Sequence, residues 1–216
     1  VSRILITSGP TRQYLDPVRY LTNASSGRMG SALAAAAIAE GHQVVIVSGP
    51  VSVAYPAAAE IINVETTDEM LTASMSAFES CDGAIGAAAP CDYMPRFIQT
   101  QKIAKTGDAL QLELIETADV VAMLGQRKKQ GQWVVGFALE TEDRRFRATV
   151  KLQKKCCDWI VSNGPQAIDS DQNDIELLNR HGDVILTVQG TKEQVATELM
   201  KKISEQLPDE KLDVKR

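Results

Sequence analysis

Three observations predict an α/β fold built on a parallel sheet. Short β-branched runs alternate with stretches of helical period, beginning with a strand at 4–7, an Ala-rich helix at 31–40 and a strand at 44–47. That is a βαβ unit, and open α/β sheets bind ligands at the carboxyl ends of their strands. Residues 133–138 (Trp-Val-Val-Gly-Phe-Ala) are continuously apolar, as in a central parallel strand covered on both faces. Two late runs, 175–178 and 184–188, flank a turn-rich segment and predict a C-terminal β-hairpin.

Between the first strand and first helix lies a long loop from Gly9 to Gly27, loaded with Pro10, Thr11, Arg12, Asp16, Pro17 and Arg19. It empties into Gly27-Arg28-Met29-Gly30, where glycines let backbone approach a ligand and a helix N-terminus offers N–H groups to an anion. A phosphate site is the first expectation. A short strand at 61–64 follows, then a helix to about Ser80 opened by a Thr66/Glu69 capping box, with Met70, Leu71, Met75 and Phe78 as its core face. The strand at 83–88 has side chains small enough for a flat ligand or phosphate to approach its end.

Alternating Leu110, Leu112 and Leu114 predict a strand at 110–115, followed by a helix at 119–129 capped near Thr117. A helix over 143–157 places Lys151 and Lys155 four apart on one face. A strand at 159–162, the hairpin, and a helix at 192–206 capped by Thr191 and facing inward through Val195, Leu199 and Ile203 complete the chain. One domain over 1–208 is expected, with 209–216 a charged, flexible tail.

Composition narrows the function. The 216 residues are 44% hydrophobic and 24% charged with a net charge of -5, an ordinary globular balance that gives no support to a nucleic-acid surface. No apolar run approaches the roughly 20 residues of a membrane helix. The first strand starts almost at residue 1, leaving no room for a signal peptide, so the expected compartment is the cytoplasm. Four cysteines (Cys81, Cys91, Cys156, Cys157) lack CxxC spacing and read as buried or half-buried free thiols, Cys91 alone falling in a functional-looking loop. With only His42 and His181, neither a zinc site nor a His-based nucleophile system is expected, and no protein metal ligand is nominated. The dinucleotide fingerprint is absent, because Gly9 lies eighteen positions before Gly27 and Ser48-Gly49-Pro50 stands where a ribose-binding acid belongs. No GxxxxGK[ST] loop occurs either.

The segments 4–12 (Ile-Leu-Ile-Thr-Ser-Gly-Pro-Thr-Arg), 15–20 (Leu-Asp-Pro-Val-Arg-Tyr) and 23–30 (Asn-Ala-Ser-Ser-Gly-Arg-Met-Gly) closely resemble the opening of bacterial phosphopantothenoylcysteine synthetase. Further on, the Ala87–Tyr93 segment, Lys102-Ile103-Ala104-Lys105 and Gly136-Phe137 with Glu140-Thr141 resemble that family's nucleotide-contacting motifs. The likeness runs from Ile4 to about Gln206. It implies a Rossmann-like doubly wound, mostly parallel sheet, a homodimer, and fusion to or association with a phosphopantothenoylcysteine decarboxylase. It also implies ligation of 4'-phosphopantothenate to L-cysteine with CTP, less readily ATP, and Mg²⁺.

By the same resemblance, Asn23 and Lys102 are catalytic. Gly9, Ala88, Ala89, Asp92, Lys102, Phe137, Lys151 and Lys155 serve the nucleotide, and Ser25, Ser26, Gly27 and Met29 the substrate phosphate. An amide donor suits a developing oxyanion, and an ammonium with Mg²⁺ suits charge developing on phosphoryl oxygens. Three departures stand out: Ala104 where a lysine is common, Pro90-Cys91 where flexible residues are usual, and Asn163-Gly164-Pro165 for Asn-Asp-Val. They motivate a second reading, a non-catalytic nucleotide-binding relative. An NAD(P)-linked oxidoreductase is the third, opposed by the missing fingerprint.

Overall fold

The computed structural model describes residues 1–139, 143–164 and 172–207. The chain forms β1 (Arg3–Ser8), β2 (Arg12–Tyr14), β3 (Tyr20–Thr22), α1 (Arg28–Ala39), β4 (Gln43–Ser48), β5 (Glu60–Asn63), α2 (Thr67–Phe78) and β6 (Gly83–Gly86). It continues with β7 (Tyr93–Pro95), β8 (Leu114–Glu116), α3 (Val120–Arg127), β9 (Trp133–Leu139), α4 (Arg144–Lys154), β10 (Trp159–Asn163), β11 (Gln172–Asn179), β12 (Val184–Thr191) and α5 (Lys192–Gln206). The eight-stranded main sheet has the order β12-β11-β10-β9-β6-β1-β4-β5. From β10 to β5 every pairing is parallel; β11 and β12 extend the β10 edge antiparallel.

Alternation along the strands sends side chains to two opposite cores. Ile4, Ile6, Val44, Ile46, Val135 and Val161 pack with α1 and α5, whereas Leu5, Val45, Val47, Val134 and Ile160 pack with α2, α3 and α4. Helices on both faces of a mostly parallel sheet make the doubly wound Rossmann-like architecture that the sequence predicts. Because β4 and β6 flank β1 on opposite sides, the strand order reverses beside β1, and a crevice opens there at the carboxyl ends. Gly30 brings α1 hard against that end of β1, where an added Cβ would collide with Ser8 Oγ.

Several predicted boundaries shift. The Gly9–Gly27 loop contains the β2–β3 hairpin, whose three-residue strands are too short to show a period. The strand expected at 110–115 shrinks to β8, which pairs with β7 in a separate two-stranded sheet; Leu110 and Leu112 are 58% and 41% exposed, so their alternation marks no buried edge. Asp119 rather than Thr117 caps α3, accepting from Ala122 N at 3.0 Å, while Thr117 Oγ1 donates to Cys91 O at 2.6 Å. The strand expected to reach Ala88 ends at Gly86, and α4 ends at Lys154, so Lys155 is its C-cap. The capping boxes at Thr66/Glu69 and Thr191/Gln194 both form. The tail at 209–216 lies outside the described residues.

Candidate functional site

A cavity of about 540 Å³ occupies the crevice, a size suited to a small-molecule ligand. Its first wall is the segment leading into α1, with Asn23, Ser25, Ser26, Gly27 and Met29. No side chain caps α1, and Gly27 takes φ +75° to start it, so the helix N-terminus is left to face the cavity. The second wall follows β6, with Ala88, Ala89, Pro90 and Asp92. Phe137, at the end of β9, and Lys151, on α4, close a third side.

The fourth wall is formed by residues for which the sequence predicts no role. Asn163 ends β10, Asn173 lies near the start of β11 and Lys192 opens α5, three elements brought together only by the strand order. Among the described residues the buried Oδ1 atoms of Asn163 and Asn173 find no hydrogen-bond partner, and Asn173 is only 4% exposed. Orphan buried acceptors are costly, so a ligand that donates to them is favoured. An Asn at the carboxyl end of a parallel strand was the available signal for Asn163.

The balance of charge is plain. Among the described lining residues Arg28, Lys151 and Lys192 are cationic and Asp92 is the sole carboxylate. Together with the α1 N-terminus they favour a polyanion.

Three nominated residues lie outside the lining. Gly9, at φ +76°, acts indirectly: its carbonyl accepts from Ala89 N at 2.9 Å, and an added Cβ would collide with Val51 Cγ1. The ammonium of Lys155 lies 3.1 Å from Asp119 and outside the lining, whereas Lys151 is part of it. Lys102 is exposed, and its neighbour Ile103 is held by Asp16 and Arg19. Glu140, Thr141 and Pro165 lie outside the described residues.

Asn23 Nδ2 donates to Pro90 O at 2.8 Å and Ala89 O at 3.3 Å, tying the first two walls together. Cys91 sits beneath them at 5% exposure, its thiol donating to Thr11 O and Leu21 O. Burial pushes that thiol above its ordinary pKa, so it packs rather than reacts. Cys81 and Cys157 are likewise buried, but Cys156 is exposed, contrary to the sequence expectation.

Fold and cleft define a Rossmann-like α/β protein with an electropositive crevice at its switch point. The chain belongs to the family described as DNA/pantothenate metabolism flavoprotein C-terminal domain, whose model matches residues 1–207. It is 41% identical over 93% of its length to a "Cysteine/Cysteine sulfinic acid decarboxylase" from an unknown prokaryotic organism, covering 57% of that protein. It is 39% identical over 94% of its length to the Coenzyme A biosynthesis bifunctional protein CoaBC of Vibrio parahaemolyticus, covering 52% of it. The chain thus spans little more than half of these relatives. A crystal structure of the C-terminal domain of a Coenzyme A biosynthesis bifunctional protein CoaBC superposes with a TM-score of 0.80 at 35% identity, over 94% of both chains.

Proposed function

We propose that this domain joins 4'-phosphopantothenate to L-cysteine through an acyl-nucleotide intermediate, with CTP preferred over ATP. The carrying observation is the cleft's charge, three cations and one carboxylate among the described lining residues at a helix N-terminus with no side-chain cap among them, which suits two phosphorylated substrates. Family membership supports the reading.

In the first step a carboxylate oxygen of the pantothenate attacks the α-phosphorus. The acyl–phosphate bond forms, the α–β bond breaks, and pyrophosphate leaves. Lys102, Lys151 and Asp92 serve this step, the lysines by opposing charge on the phosphoryl oxygens. Ala88, Ala89 and Phe137 flank the nucleotide, and Gly9 supports them through Ala89. Lys155 is left out because Asp119 holds it. Magnesium would arrive with the nucleotide and offset phosphate charge, and among the described lining residues Asp92 is the carboxylate that could hold it; a cation carried by the nucleotide needs few protein ligands.

In the second step the cysteine amine attacks the acyl carbonyl, the acyl–oxygen bond breaks, CMP leaves and a proton is released. Asn23 is the donor for the carbonyl oxygen, exchanging its bonds to Ala89 and Pro90 for one to the substrate. Ser25, Ser26, Gly27 and Met29 hold the 4'-phosphate.

A homodimer completes the reading. Tyr93, Phe97, Ile98 and Leu112 are exposed apolar residues on and beside the β7–β8 appendage, a surface that a second copy would cover. The length of the relatives outside the match supports a decarboxylase as neighbour or fusion partner. Among the described residues no helix is long and apolar enough to cross a membrane, and the described cysteines are all free, which favours the cytoplasm.

The test is product detection by mass spectrometry with 4'-phosphopantothenate, cysteine, Mg²⁺ and CTP or ATP. A product carrying the new amide, formed only with a nucleoside triphosphate, is expected. Nucleotide binding without product would leave the non-catalytic relative.

A further inference from the structure

We infer that Asp16 is a positioning residue that, with its ion-pair partner Arg19, clamps the Lys102 segment through both backbone groups of Ile103. This builds on the first-step role proposed for Lys102. The Asp16 side chain is fully buried. Its Oδ1 accepts from Val18 N at 2.8 Å and Arg19 N at 2.9 Å, closing the turn of the β2–β3 hairpin. Its Oδ2 accepts from Arg19 Nη1 at 3.1 Å and, 87 positions along the chain, from Ile103 N at 3.0 Å. Arg19 Nη2 in turn donates to Ile103 O at 3.1 Å. One ion pair therefore grips the donor and the acceptor of the residue that follows Lys102.

Closing the turn needs only the two amide bonds to Asp16 Oδ1, from Val18 and Arg19. Burying a carboxylate is expensive unless its lone pairs are filled, and here the filling extends to a distant, exposed segment. Burial pushes the Asp16 carboxyl up, but the amides of Ile103, Val18 and Arg19 and the Arg19 charge more than offset this and hold it below the usual carboxylate value. Gln99 N donates to Leu15 O at 2.9 Å, so the same turn holds the segment at a second point. Among the described residues these are the hydrogen bonds that tie 99–107 to the remainder of the chain, apart from the local one that Asp108 N donates to Thr106 Oγ1 at 3.4 Å. Asn23 lies one residue beyond β3, the other end of this hairpin. The hairpin is therefore a common mount for both residues nominated as catalytic, with the Lys102 side chain as the arm that reaches from a fixed anchor.

Asp16→Asn and Asp16→Ala variants test this in the whole domain, read by trypsin cleavage after Lys102 and by the two half-reactions measured separately. Cleavage after Lys102 should rise at least tenfold with other sites unchanged. Pyrophosphate release without cysteine should fall at least tenfold, and capture of supplied acyl-cytidylate by cysteine less than threefold. Should Asp16→Ala fail to fold, Ile103→Pro removes the donor from an exposed segment; trypsin is then read at Lys105, because Lys–Pro bonds resist it. Unchanged cleavage, or equal loss in both half-reactions, would overturn the clamp. If the wild type releases no pyrophosphate, the proposed ligase fails, while the cleavage assay still judges the anchor.

Discussion

The side-chain amide of Asn23 donates to the carbonyl of Pro90 at 2.8 Å, fastening the loop after β3 to the loop after β6. Both of its acceptors are carbonyls, so the nitrogen must face them. Asn23→Asp would set a carboxylate against two carbonyl oxygens, whereas Asn23→Ala only removes bonds worth about 1 kcal/mol each. Nucleotide affinity by calorimetry should therefore fall further in the Asp variant, by about tenfold or more.

Lys151 and Lys155 separate in the same assay. Lys151 lines the cleft, and Lys155 is engaged by Asp119 at the start of α3. A charge-assisted contact to phosphate is worth about 1.5–3 kcal/mol, so Lys151→Ala should weaken nucleotide binding roughly 10- to 100-fold. Lys155→Ala should change it less than about twofold and lower stability slightly.

Much of the fold was legible because its signals are local. Thr66 and Glu69 meet within one turn, and the apolar run at 133–138 announces a buried strand whatever surrounds it. Period-2 alternation at Leu110–Leu114 failed because it reports two faces and says nothing of what covers either. The pairing of Lys155 with Asp119 was not legible because it joins residues 36 positions apart, and spacing within α4 does not report it. Asn163, Asn173 and Lys192 could not be grouped from sequence, since only the order β10-β11-β12 and the placement of α5 bring them together.

His42 makes stability depend on pH. Its Nδ1 accepts from Ser2 N at 3.1 Å and its Nε2 lies 3.0 Å from Ser204 Oγ, contacts that suit the neutral ring. Burial, aided by the N-terminal charge, lowers its pKa below the ordinary 6.5. The unfolded chain then binds the proton more readily, so stability present above pH 6.5 is lost as pH falls through the folded value. Melting temperature should drop from about pH 7 to 5.5, and His42→Gln should flatten that slope.

Cysteine labelling should find one fast thiol among four, at exposed Cys156. Burial pushes Cys157 up to about 12, and it raises Cys81 and Cys91 as well, leaving little thiolate near neutral pH. Mass mapping after brief alkylation checks this; prompt modification of Cys91 would mean that the loop it supports opens in solution.

Gly30→Ala tests how closely α1 must sit on β1. The added methyl meets Ser8 Oγ, and overpacking of this kind costs about 1–3 kcal/mol, or very roughly 2–10 °C in melting temperature. The displaced helix N-terminus should also weaken phosphate binding.

The most direct test of the central claim is pyrophosphate release with CTP, Mg²⁺ and 4'-phosphopantothenate in the absence of cysteine, for wild type and Lys102→Gln. Release that requires phosphopantothenate and is lost in the variant is expected. No release from wild type with CTP or ATP, despite measurable nucleotide binding, would contradict it.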